Sequence, residues 1–187
     1  MRFVLVLLGL LLTCNLDAKE TPQAILNGLP QAIAGCERSE FRDYGNPKLG
    51  GSVAYQSPGF VITVYAYDQG EPHIADGITD RAVTESLTMA KKDIETAQSK
   101  GVYSDAQFRS EGKATYNGGF ETLCARYRLT FAQGKLAGVK VFSEIHVFGA
   151  RDHIIKLRIS GKLDEEEKLG KVLDQFIPAL MKAIQQP

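Results

Sequence analysis

The chain has 187 residues, with 22 Lys+Arg balanced by 22 Asp+Glu and 44% hydrophobic residues. Balanced charge supplies no electrostatic footprint for nucleic acid or for an anionic membrane surface, so neither is an expected partner. The apolar content excludes a disordered chain and is sufficient for one packed domain.

In chain order, Met1-Arg2 precedes an apolar run, Phe3–Leu12, and a polar stretch that ends at Ala18. A basic start, a short apolar run and a small residue before the cut form the pattern of a secretory signal peptide over residues 1–18. The run is well short of the ~20 residues that span a bilayer as a helix, and no long apolar run follows. No transmembrane segment is therefore expected in the mature chain. Leu11-Leu12-Thr13-Cys14 also resembles a lipobox, in which Cys14 would be lipidated and tether the protein to a membrane. The expected location is the periplasm or the exterior, with a membrane-anchored lipoprotein as the alternative. Either cut leaves Cys36 and Cys124, which an oxidising compartment would join in a disulfide. Closing so long a loop would contribute roughly 3–5 kcal/mol. Two buried free thiols are the competing reading.

Residues 19–50 are irregular, punctuated by Pro22, Gly28, Pro30, Gly35, Gly45, Pro47 and Gly50. They allow short helical pieces around Ile25-Leu26 and Ala32-Ile33. Residues 51–187 read as one α+β domain. A hairpin runs Ser52–Gln56 and Phe60–Tyr67 around Ser57-Pro58-Gly59. A helix over Asp80–Lys100 follows, its apolar stripe formed by Val83, Leu87, Ala90, Ile94 and Ala97, with Thr79 as its cap and Gly101 as its stop. Four strands are predicted near 103–116, 120–131, 136–148 and 153–160, with Asn117-Gly118-Gly119 as the firmest turn. A closing helix covers about Asp164–Ile184, with Pro178 expected to kink it. This order predicts an antiparallel sheet, hairpin plus four-stranded meander, packed with two long helices.

The aromatic-rich hairpin Val53-Ala54-Tyr55 and Val61–Tyr67, the long helix, the meander and the closing amphipathic helix together resemble the PsbP/Mog1-type α/β/α sandwich over about residues 49–184. The resemblance is topological. It implies a binding or assembly protein rather than an enzyme, since that group includes a photosystem extrinsic subunit, a small-GTPase binder and secretion chaperones. It carries no functional residue over to this chain.

Three candidate sites follow from the residues. The apolar positions of the last three strands are all odd-numbered, so even pairing sums, such as Leu123 with Ile145 and Ile145 with Leu157, place them on one face. The other face then gathers Arg126, Glu144, His146, Lys156 and Arg158 as a polar-ligand patch, or else as a solvated face with weak cross-strand ion pairs. The loop 68–80 holds Asp68, Glu71, His73 and Asp76, oxygen and nitrogen donors for a divalent cation, although at no standard metal spacing. Tyr55, Tyr65 and Tyr67 could stack a ligand or simply pack. No G-x-S-x-G, H-E-x-x-H, C-x-x-C or P-loop pattern occurs, and no cofactor is implied. The expected function is a non-catalytic binding or assembly module of the bacterial cell envelope, acting on an envelope protein or a small ligand. The alternative is an envelope enzyme or metal-dependent hydrolase built on the polar face or the acidic loop.

Overall fold

The computed structural model describes residues 19–46 and 48–186. The expected signal peptide and the lipidation candidate Cys14 lie outside them. Helix α1 (Pro22–Gly28) starts where the Thr21 hydroxyl accepts from the Ala24 amide, with Pro22 in the first turn, where its missing N–H costs nothing. Three short strands follow, β1 (Ala32–Ile33), β2 (Cys36–Arg38) and β3 (Arg42–Asp43). The pair Ala32-Ile33 is thus strand rather than helix, because Ile33 pairs with Cys36 across the Ala34-Gly35 turn, whose residues both have positive φ. Residues 19–50 are not an appendage. Ile25, Leu26, Leu29, Ile33 and Cys36 are buried in the same core as the main sheet.

The hairpin β4 (Gly51–Ser57) and β5 (Phe60–Tyr67) turns through Pro58-Gly59, where Gly59 has φ 97°. Helix α2 (Arg81–Ser99) is capped by Asp80, not Thr79, the carboxylate accepting from Ala82 N at 2.8 Å and Ala75 N at 2.9 Å. Gly101 stops it in the left-handed region as expected. The meander is β6 (Tyr103–Tyr116), β7 (Phe120–Phe131), β8 (Lys140–Ala150) and β9 (His153–Lys162), and α3 (Glu166–Gln185) closes the chain. Pro178 lies inside α3 and has no N–H for the Asp174 carbonyl; that oxygen faces the Asn117 side-chain amide at 3.4 Å.

The sheet is antiparallel, in the order β1-β2-β4-β5-β9-β8-β7-β6, with β3 also on β4. The first hairpin and the meander therefore join through β5 and β9, the Ile62–Ile159 and Val64–Leu157 pairs marking the seam. Strand β6 ends the sheet and has two irregularities in its pairing with β7, at Tyr103/Asp105 and Phe108/Ser110. Helices pack on both faces of the sheet. On one side α3 and α1 pack Phe176, Ile177, Leu180 and Leu26 on Tyr55, Ile62, Val64, Phe142, Phe148, Leu157 and Ile159. On the other, α2 packs Val83, Leu87, Ala90 and Ile94 on Tyr67, Ala125, Tyr127, Leu129, Ile145, Val147 and Ile154. These are the three layers of an α/β/α sandwich.

Register decides which residues share a face. Strands β7 and β8 pair with an even sum, Ala125 with Ile145 and Arg126 with Glu144, as expected in parity but shifted by two residues. Strands β8 and β9 pair with an odd sum, Ala150 with His153 and His146 with Leu157. The cause is the two-residue turn Arg151-Asp152, with φ 52° and 61° at its two positions. Such a turn admits only odd sums, so even positions of β8 share a face with odd positions of β9.

Candidate functional site

That parity change divides the expected polar-ligand patch. Arg126, Glu144 and His146 point to the α3 side, while Lys156 and Arg158 point to the α2 side with Ile154. The five side chains do not form one surface.

On the α3 side, His146 is 0% exposed and lies among polar neighbours: Nε2 is 3.2 Å from Glu144 Oε2 and Nδ1 is 2.9 Å from the Thr122 hydroxyl. An ionised Glu144 only accepts, so Nε2 carries the proton, and in the neutral ring the Thr122 hydroxyl donates to Nδ1. Arg126 Nε completes the string at 3.3 Å from Glu144 Oε1. Burial works to raise the Glu144 pKa, but the bond from His146 and the charge of Arg126 prevail and hold it below the ordinary value. The atom types are those of a hydroxyl–imidazole–carboxylate relay. The Thr122 hydroxyl, however, is wholly buried and has no route to a substrate. This string satisfies buried polar groups inside the α3-side core.

The acidic loop does not converge either. Asp68 is bonded to Lys19 at 2.9 Å, Glu71 faces Arg81 at 3.7 Å, His73 pairs with Asp152, and Asp76 accepts from the Arg151 amide at 2.9 Å. Each of the four donors is drawn to a different partner. Among the described residues no three His, Cys, Asp or Glu side chains gather as a metal site would require.

The expected disulfide is also overturned. Cys36 and Cys124 are both buried free thiols. Cys36 is on β2 and Cys124 on β7, five inter-strand steps apart in the sheet order. At ~4.8 Å per step that is on the order of 24 Å, against the ~7 Å limit between Cα atoms of a disulfide. Burial pushes both thiols above their ordinary values, which makes them poor nucleophiles.

What the structure does build is a groove on the α2 side. Helix α2 packs chiefly on β6, β7 and β8 and leaves the β5 end of that face open. The gap is a cavity of about 550 Å³ between α2 and the Tyr44 and Leu49 side chains, lined also by Tyr65, Tyr67, Ser86, Met89, Asp93 and Lys156 among others. This is within the ~300–1,000 Å³ usual for small-molecule sites. Two of the three tyrosines singled out in the sequence, Tyr65 and Tyr67, line it. Tyr55 is on the opposite face, buried, with its hydroxyl donating to Pro30 O at 2.7 Å.

The groove wall is well ordered by its own bonds. Tyr67 and Ser86 share a hydroxyl–hydroxyl bond of 2.6 Å, and Tyr44 and Ser52 one of 2.8 Å. The Tyr44 and Tyr65 rings are near parallel, with centroids 6.3 Å apart. Burial pushes the Tyr67 hydroxyl up to about 12, so it stays protonated. At the floor, Lys156 Nζ sits 4.9 Å from the Tyr65 ring centroid and 5.3 Å from that of Tyr67. Such cation–π contacts contribute about 0.5–2 kcal/mol each, most when desolvated. Met89 and Leu49 hold apolar surface at the rim, 44% and 55% exposed. Ser86, Met89 and Asp93 lie one row beside the apolar stripe of α2, at spacings of three and four. That spacing was the available sequence signal for the groove's helical wall; Tyr44 and Leu49 had none.

Among solved structures, the solution structure of cyanobacterial PsbP (CyanoP) from Synechocystis sp. PCC 6803 matches with a TM-score of 0.50 and 14% identity, covering 79% of this chain and 92% of that one. The fold is PsbP-like. No family model and no curated protein matches the sequence. At such identity the PsbP likeness concerns the fold and assigns no residue of the groove a role.

Proposed function

We propose that this protein is an exported, non-catalytic binding module of the bacterial cell envelope, and that the groove between α2 and β5 is its binding site. The observation that carries the reading is the uncovered stretch of an otherwise covered sheet, walled by tyrosines and floored by Lys156. Stiff aromatic side chains give contact area at low entropic cost. The groove lining offers hydroxyls, the ammonium groups of Lys92 and Lys156 and one carboxylate, but no histidine or thiol beside a hydroxyl, which favours holding a ligand over activating a nucleophile. Export rests on the residue 1–18 pattern, as does placement in the periplasm or outside the cell.

The test is a small-molecule fragment screen read by residue-resolved amide shifts. Hits should perturb Tyr65, Tyr67, Met89 and Lys156 together. A screen whose hits cluster elsewhere, or that yields none, refutes the groove as the binding site.

A further inference from the structure

Resting on that assignment of the groove, we propose that its ligand is a small carboxylic acid, whose carboxylate pairs with Lys156 Nζ while an aryl or alkyl body lies on Tyr65 and runs toward Met89 and Leu49. The argument begins with charge. No salt bridge among the described residues uses Lys156. Its ammonium is held instead by two ring faces, which stabilise a cation without neutralising it. The titratable groups around it are Lys92, Asp93 and the tyrosines of the lining, with Arg158 two residues along β9. Asp93, on α2, is exposed and outside ion-pairing distance. Arg158 is occupied at 3.3 Å from Ser143 Oγ and 3.5 Å from Tyr103 OH. Two lysines and a single carboxylate line the cavity, so its lining is one negative charge short of balance.

Burial lowers the Lys156 pKa, with Arg158 adding to the effect and Asp93 opposing it. An incoming carboxylate would reverse that penalty and be bound by a charge-assisted bond. Size and polarity then narrow the class. A volume of about 550 Å³ suits a small molecule. The exposed Met89 and Leu49 side chains at the rim match an apolar body, and Met accommodates varied shapes.

The probes are 3-phenylpropionate, octanoate and the uncharged 3-phenylpropanamide, titrated into the purified protein at pH 7.5 with amide shifts as the readout. The acids should bind about tenfold more tightly than the amide, as a charge-assisted hydrogen bond in a partly desolvated site provides. Lys156→Gln should erase the acid–amide difference, and Lys156→Arg should keep most of it. Tyr65→Leu should weaken acid and amide alike and leave their ratio intact. Should Lys156→Gln fail to fold, the ratio in the unmodified protein and its decline in 0.5 M salt still decide the matter. Equal binding of acid and amide at the groove overturns the carboxylate proposal while leaving the groove as a binding site. Failure of all three probes to move groove resonances, after fragments have done so, also overturns it.

Discussion

His153 shows how much one buried side chain can set. It is 0% exposed, Nδ1–H donates to Arg151 O at 2.6 Å, and Nε2 has no hydrogen-bond partner among the described residues. Burial pushes its pKa below the ordinary value, with the neighbouring Lys19 acting in the same direction and Asp68 and Glu20 against it. Below about pH 6.5 the unfolded chain takes up a proton that the folded chain refuses, so stability falls as pH falls, by at most ~1.4 kcal/mol per pH unit over the window down to the folded pKa. Urea unfolding at pH 7.5 and 5.5 should show this loss, and His153→Gln should remove much of it; a wild-type stability flat across that range would contradict the assignment. Residues of this kind were the least legible in the sequence. Lys156 and Tyr65 drew notice by type, but a lone letter does not say which layer of a sandwich it enters.

Elements were legible where their ends are set by chemistry inside the element. β6 and β7 span the expected residues because Asn117-Gly118-Gly119 permits little but a turn, Gly118 and Gly119 having φ 86° and 77°. α2 was readable from its stripe and from Gly101. β1, β2 and β3 were missed because strands of two or three residues owe their existence to the neighbours they pair with, β2 and β3 to the β4 edge and β1 to β2, not to their own pattern. The β8–β9 turn is the costliest miss, since one odd pairing sum moved Lys156 and Arg158 to the other face of the sheet. Gly149, beside that turn, exchanges hydrogen bonds of 2.9 and 2.7 Å with Gly77, bringing the 68–78 loop against β8. A Cβ on Gly149 would stand 2.1 Å from the Ala75 carbonyl oxygen. Gly149→Ala should therefore cost about 2 kcal/mol or more in equilibrium unfolding, by forcing the loop off the strand. An unchanged midpoint would mean that the loop gives way freely.

At the scale of the molecule, the layered α+β architecture was within reach of the sequence, because alternation along β5 and the stripes of α2 and α3 already implied a sheet with covered faces. Strand order was not, since the β5–β9 seam joins segments far apart in the chain. The same order keeps Cys36 and Cys124 apart. Both should react with a thiol-alkylating reagent in denatured, unreduced protein, and a reductant should leave the melting temperature unchanged. A mass showing one internal bridge between them would contradict the strand order itself.

The sheet also has to stop somewhere. β6 is its long outer strand, and a strand of that length offers a row of unpaired backbone groups to any neighbouring chain. Its two pairing irregularities bend that row, and Arg109, Glu111 and Lys113 set alternating charges along it. Another copy approaching edge to edge would meet an irregular, charged border, which disfavours lengthening the sheet from this edge into fibres.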